Sequence, residues 1–493
     1  MTLQAAQTAT PHLSEHHFVG RLTLTPEHGS VGTLVTAEGQ GFPANTQLEL
    51  VWETYDARWK IEQYDGQDWN QFNGLIIDER TEPILDIKTD SQGAFKIDFQ
   101  IKEDYGGMHD VYVMAQECKL NKAGFRMDAS AEISPKTGPL GTPISITVKG
   151  INPSHPIEGW YQLYYDNQMV GFLTAVTTKG TAQFEIPAAG EKGLHLIAIE
   201  NGSFGAPYLQ LDASSYSYIK TFHFTFELNE GEAVLPPPVQ EQILPEVLST
   251  VMNEQSQEEK MPLLWTDFSE IPARSAFTLF GKNFEPNQEL QIYWIDIEGD
   301  RVSEVKSGRY GTGFQERFYP LTKVKADPKG NFSVHHVPES VQGGAHAIEA
   351  WADEKCLSRT YLRLARRAYP LKPKAGPFGS VISVKIEGLS WTEHENLVAL
   401  TYDNSYLGYA CGNDCMGQIV AKIRATGKPG WHFIDVYPAF RTRKFSEGIE
   451  AESMEVPFLY EKAIVTWKDH PHGFCFRYAF KLDPTLAKEA DTL

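Results

Sequence analysis

Residues Ser134–Gly150 read SPKTGPLGTPISITVKG, and their second half decides the kind of chain this is. Ile144, Ile146 and Val148 alternate with Ser145, Thr147 and Lys149. A period of two places the apolar side chains on one face of an extended strand and the polar ones on the other. Just ahead, Gly138, Pro139 and Gly141 mark a tight turn. The pattern returns 238 positions later as KPKAGPFGSVISVKIEG, Lys372–Gly388. An amphipathic strand behind a Gly-Pro turn, written twice, predicts an all-β chain made by duplication.

The duplication runs outward from there. His109 and His346, Asp166 and Asp403, and His195 and His432 all keep a spacing of 237 residues. Upstream, GQGFPANTQLELVW (Gly39–Trp52) matches GKNFEPNQELQIYW (Gly281–Trp294) at a spacing of 242. Each half divides again, since both of its parts open on a Gly-rich turn and close on a strand headed by Gly-x-His. The expected order is module A1 (18–128), module A2 (129–228), a linker (229–261), module B1 (262–367) and module B2 (368–482). The linker carries LPPPVQEQILPEVLSTVMNEQSQEEKM, a Pro-rich start followed by a short helical pattern. Within a module, Asp166-Asn167 and Asp403-Asn404 are two-residue hairpin turns, because both residue types tolerate positive φ.

The motif PEHGSVGTLVTAEGQGF in A1 resembles the opening of bacterial immunoglobulin-like domains of the IPT/TIG type, P-x-x-G-x-x-G-T running to G-x-x-F. A2 and B2 keep the opening but end in KGINP and EGLSW without the Phe, and B1 has PARSAFTLF in place of the glycines. The resemblance implies four immunoglobulin-like β-sandwiches. It also implies a role as spacer, adhesive or assembly module, or as partner to a separate enzyme domain, and no such domain is visible in the sequence.

The totals agree with a multidomain globular protein. The 493 residues are 41% hydrophobic and 12% aromatic, and the formal charge is −20 from 64 acidic and 44 basic residues. That charge excludes nucleic acid or an anionic membrane as the main partner. Five cysteines do not make a disulfide scaffold. No apolar run reaches the ~18 residues of a membrane span, and no secretory signal is visible at the start. The expectation is a cytoplasmic protein, or one exported by a signal-less route.

Four sets of residues could carry function. The histidines of the Gly-x-His strands lie in four different modules, so they read as architecture, each ring bonding a nearby carbonyl at the sheet corner. The A1 loop VWETYDARWKIEQYDGQDWNQF holds Trp59, Tyr64, Trp69 and Phe72 among Asp65 and Asp68. Such rings could stack on a glycan, anchor a protein partner, or fold back onto the sandwich, and the two carboxylates admit Ca²⁺ although no D-x-D-x-D-G loop is present. Cys411 and Cys415, with His470, His472 and Cys475, have zinc-ligand chemistry without zinc-finger spacing. Cys118 and Cys356 read as small buried hydrophobes. Glu79-Arg80 and Glu316-Arg317, each with a Pro three residues after the Arg, suggest a clamp that ties a long loop down. None of the familiar catalytic motifs is present.

The expectation is therefore a non-enzymatic assembly protein making repeated protein–protein or self contacts. Its aromatic strands SYSYIKTFHFTFEL and KAIVTWKDHPHGFCFRYAFKL are candidates for intermodule or intersubunit pairing. The rival is a binding or adhesion protein that grips a glycan or protein through the A1 loop. An enzyme with its site between the halves is a third reading.

Overall fold

A computed structural model describes residues 18–61, 72–153, 161–201, 220–237, 261–304, 309–391, 396–412, 416–439, 463–470 and 473–487. A1 folds as β1 (Arg21–Thr25), β2 (His28–Gly29), β3 (Leu34–Gln40), β4 (Gln47–Ile61), β5 (Phe72–Lys88), β6 (Phe95–Gln100), β7 (Gly107–Ala115) and β8 (Cys118–Met127). A2 follows as β9 (Ser130–Ser134), β10 (Thr137–Gly138), β11 (Pro143–Lys149), β12 (Tyr161–Tyr165), β13 (Gln168–Leu173), β14 (Ala182–Pro187), β15 (Gly193–Asn201) and β16 (Phe222–Leu228). B1 has β17 (Leu263–Thr266), β18 (Glu270–Pro272), β19 (Phe277–Lys282), β20 (Glu289–Glu304), β21 (Arg309–Lys325), β22 (Phe332–His336), β23 (Gly344–Ala352) and β24 (Lys355–Ala365). B2 has β25 (Arg367–Ala368), β26 (Ala375–Gly376), β27 (Val381–Glu387), β28 (Leu397–Tyr402), β29 (Ser405–Cys411), β30 (Ile419–Arg424), β31 (Gly430–Pro438) and β32 (Phe476–Leu482).

In A1 the two sheets are β1-β3-β6 and β2-β8-β7-β4-β5, and the same three-plus-five order recurs in every module. The chain is all-β, four immunoglobulin-like sandwiches in two duplicated halves. The alternation in β11 does what its pattern demands: Ile144, Ile146 and Val148 are fully buried and their neighbours are not. Asp166-Asn167 and Asp403-Asn404 turn with φ of +49° and +62° in both copies. The helical part of the linker lies outside the described residues, and its first residues run along A2, where the Val234 N–H donates to Leu140 O at 2.8 Å.

The departures from the motif have physical reasons. Ile151 and Leu389 are fully buried where A1 and B1 have Phe42 and Phe284, so any large apolar side chain fills that place. Arg274 stands in left-handed backbone, φ +62°, where A1, A2 and B2 have Gly32, Gly141 and Gly379. A non-glycine residue there costs about 1 kcal/mol. The Arg274 guanidinium instead reaches into B2, its Nε 2.8 Å and its Nη2 3.3 Å from the Glu387 carboxylate. Burial works against the Glu387 charge, but Arg274, the Tyr369 hydroxyl and Lys385 outweigh it and hold its pKa down to about 2.

The modules of each half meet in the same way. The Gly106 N–H donates to Ile151 O, and the Gly343 N–H donates to Leu389 O. An added Cβ would fall 2.0 Å from Gly150 O at the first junction and 1.9 Å from Gly388 O at the second, so only glycine fits. The halves meet mainly where A2 packs on B2. Leu397, Ala399 and Tyr437, on the outer face of the B2 five-stranded sheet, share one buried core with Val170, Ile186 and Ala188 of A2. The Asn404 side-chain amide donates to Pro187 O at 2.7 Å, and Arg477 donates to Glu185 O at 3.0 Å.

Candidate functional site

Strands β4 and β5 extend beyond their sandwich as a hairpin arm, and the arm ends on other modules. Trp59 is buried, and its indole N–H donates to Asp469 O of B2 at 2.5 Å. Its ring packs with Ala57, Phe172, Val176 and Ile464. Of the readings open to Trp59 in the sequence, its ring is neither exposed nor folded back on its own sandwich, since two other modules cover it. Below it, Tyr105 stacks on Tyr55 at 4.3 Å and donates to Val176 O at 2.7 Å. The Asp469 carboxylate accepts the N–H of Val176 and both the N–H and hydroxyl of Thr177. Arg80 bridges Asp56 and Glu82, and Glu82 pairs with Lys179 of A2, so the Glu-Arg motif clamps the arm to the next module. Tyr64, Asp65, Asp68 and Trp69 lie outside the described residues; Phe72 begins β5.

The aromatic segment near the C-terminus divides in two. Ala463–Val465 pairs with Phe172 at the edge of β13, Phe172 N–H to Ala463 O and Val465 N–H to Phe172 O. Phe476–Leu482 is β32, paired with β31 inside its own sheet. Of the earlier aromatic stretch, Phe222–Leu228 form β16, likewise an interior partner of β15, and its residues up to 219 lie outside the described residues. Cys411 and Cys475 pack half-buried beside the core shared by A2 and B2 as free thiols, and burial pushes the Cys475 pKa up. His470 is buried, while Cys415 and His472 lie outside the described residues. Among the described residues no three His, Cys, Asp or Glu side chains form a metal-binding group. Cys118, expected buried, is exposed at the β7–β8 turn, and Cys356 is half-buried.

The four histidines repeat one arrangement. Each ring places Nε2 against the carbonyl four residues earlier and stacks on an aromatic of the neighbouring strand: Trp52, Tyr165, Trp294 and Tyr402 in order. In A1, Nδ1 meets the Glu53 carbonyl, and in B1 it meets both the Ile295 carbonyl at 3.2 Å and the buried Asp296 carboxylate at 3.0 Å. In A2 and B2 it meets a carboxylate not foreseen from the sequence, that of Asp166 or Asp403 in the hairpin turn. Burial opposes the charge of His432, but Asp403 prevails and raises its pKa.

The aromatic surface that the sequence reading missed is on B1. On the outer face of its five-stranded sheet, Tyr293, Phe318 and Trp351 meet edge to face, with centroids 6.0–6.3 Å apart. Phe318 is 46% and Tyr361 58% exposed. Beneath them Glu349 is buried, taking the Trp351 indole N–H at 2.7 Å and pairing with Arg359. On the opposite sheet, Trp265 and Phe280 stack at 5.4 Å. A1 has Val51 for Tyr293 and Met114 for Trp351, but polar or small residues elsewhere: Thr81 for Phe318, Gly124 for Tyr361, Thr23 for Trp265 and Glu38 for Phe280. Aligning the two modules at outward-facing positions is the signal that finds this surface.

No family model and no curated protein matches the chain, so the IPT/TIG resemblance rests on its motif residues alone. Among solved structures, a Salmonella alpha-2-macroglobulin aligns over 95% of this chain and 31% of its own at 10% identity and a TM-score of 0.17. Invasin, a bacterial integrin-binding protein, aligns over 94% of this chain and 79% of its own at 10% identity and a TM-score of 0.17. An ICAM-5 ectodomain fragment aligns over 90% of this chain and 99% of its own at 9% identity and a TM-score of 0.18. This chain thus spans about a third of the first of these proteins. Among the described residues no helix is long and apolar enough to cross a membrane.

Proposed function

We propose that this chain is a non-enzymatic protein-contact scaffold, a frame of immunoglobulin-like modules that offers B1 to another protein. The observation that carries this reading is the aromatic face of B1, on which Phe318 and Tyr361 are exposed beside the half-buried Tyr293 and Trp351, where A1 has Thr81 and Gly124 in place of the two exposed rings. Large aromatic side chains are the usual anchors of protein interfaces, and solvent exposure of several together needs a reason. The rings of Tyr293, Phe318 and Trp351 stand at 79–89° to one another. That surface is ridged and suits interdigitating side chains better than the flat face of a sugar. The contacts of Trp59, Arg80 and Asp469 favour a structural part for the A1 arm, which braces the frame.

The test uses the purified chain as bait against an extract of its source, with wild type beside the Phe318→Ala/Tyr361→Ala double variant. A protein retained by wild type and lost by the variant supports the reading. Identical retention by both overturns it, and retention lost only with changes in the A1 arm favours the rival binding reading.

A further inference from the structure

B2 covers A2 by laying its outer sheet face on the A2 flank, the side where β13 and β14 border each other. Phe433 sits over Gly141, where an added Cβ would lie 2.6 Å from its ring, and Val170 and Phe172 are buried beneath the contact. The duplication places equivalents of both surfaces elsewhere in the chain. The flank residues Leu140, Val170 and Glu185 correspond to Phe378, Leu407 and Lys422 of B2. The face residue Phe433 corresponds to Leu196 of A2, and Trp431 to Leu194.

Parts of both equivalents are open, although Gln162, Tyr164 and Ala198 farther along the A2 face are buried. On the B2 flank Phe378 is 67%, Leu407 50% and Val420 48% exposed, and an added Cβ at Gly379 would meet nothing within 4 Å. On the A2 face Leu194 is 74% and Leu196 37% exposed. Single exposed leucines are ordinary. Leu407 and Leu196 are the counterparts of Val170 and Phe433, which the molecule itself buries in an established contact. Their rims are also opposite in charge. Lys422 and Arg424 stand exposed on the flank, the latter donating to Gly379 O at 3.1 Å. Glu227, paired across from Leu194, and Asp166 stand exposed on the face.

We propose that the occupant of the B2 flank is a second copy of this chain, which docks its A2 sheet face there as B2 docks on A2 within one molecule. Leu196 of one copy lies over Gly379 and Phe378 of the next, with Glu227 and Asp166 facing Lys422 and Arg424. The two surfaces differ, so the contact is heterologous: one copy keeps its flank and the other its face for further neighbours. This goes beyond the B1 reading, since it uses neither Phe318 nor Tyr361.

Sedimentation velocity on the full chain across a concentration series tests it, with far-ultraviolet circular dichroism confirming that each variant is folded. Wild type is expected to form dimers and longer species as concentration rises, less so in high salt. Leu196→Glu and Leu407→Glu, which each put a charge into the contact, should weaken association more than about tenfold. An equimolar mixture of these two variants retains one intact face and one intact flank and should recover a dimer that grows no further. A monomer at every concentration overturns the proposal, as does association indifferent to both substitutions or a mixture that stays monomeric. If Phe318→Ala/Tyr361→Ala abolishes self-association, the contact is on B1 and this proposal fails while the B1 face stands.

Discussion

A1 and B1 share their strands, their sheet order and their stacked Trp–His pair, and they part wherever a side chain leaves the sandwich. A1 turns its surplus aromatics inward on the rest of the molecule. Trp59 at the arm and Tyr105 at the junction are both buried against A2. On its sheet face Tyr112 is buried, its ring covered by Lys119 and its hydroxyl shared between Glu53 and Asp110. B1 turns its aromatics outward, with Phe318 and Tyr361 in solvent. Duplication copied the frame, and the outward positions diverged into a strut on one side and a sticky face on the other.

The largest effect should therefore come from the strut. Trp59→Ala removes a buried ring and its hydrogen bond to Asp469 O. Truncating a buried Trp typically costs about 3–5 kcal/mol. The expected outcome is a lower urea midpoint, with faster hydrogen exchange in Ala463–Asp469 and β13 than in B1. Uniformly faster exchange across all four modules, or none, would break the contrast between the arm and the B1 face.

A second, smaller contrast lies at the junctions. Glu387 of B2 is fully buried and holds Arg274 and Lys385, whereas the matching position in A2 is Lys149, which pairs with Glu103 at the surface at 3.2 Å. The folded pKa of Glu387 is about 2, below the roughly 4.3 of an unfolded Glu. A depressed carboxylate stabilises the fold fully above its unfolded value and loses that contribution as pH falls toward the folded one. Wild type should thus lose B1–B2 stability between pH ~4.5 and ~2, and Glu387→Gln should flatten that stretch while lowering stability at pH 7 by about 2 kcal/mol. Lys149→Ala should change stability by less than about 1 kcal/mol, because an exposed ion pair contributes little. Thermal melts across pH 2–7 decide this, and an unchanged acid profile in Glu387→Gln would assign the acid loss to other carboxylates.

What was legible in the sequence is what short-range physics fixes. Ile144, Ile146 and Val148 bury because alternation leaves them no other face, and Asp166-Asn167 turns because both residues accept positive φ. The repeat then multiplied one module into four. What was not legible depends on partners remote in the chain. Trp59 meets Asp469 across 410 residues, and no local pattern announces that cover. A ring at an arm tip reads the same whether solvent or another module lies beyond it. The acid partners of His195 and His432 were on the page as Asp166 and Asp403, but only the fold brings turn and strand together. The B1 face was hidden differently. Phe318 follows the same Glu-Arg motif that in A1 precedes Thr81, so the shared motif masks the substituted neighbour.

The smallest stability effect should come from that face, and its smallness is the informative part. Phe318 and Tyr361 already spend about half their surface in water, so truncating them removes little burial. Each Ala substitution should change stability by no more than about 0.5 kcal/mol, an order of magnitude below Trp59→Ala. A residue that can be removed without harm to the fold, yet is a large aromatic where its duplicate is Thr or Gly, is retained for something other than folding. If calorimetry instead finds a loss of about 2 kcal/mol or more, the rings are packing elements of B1. Outward divergence would then reflect how B1 holds itself together, and the contrast with A1 would be one of architecture alone.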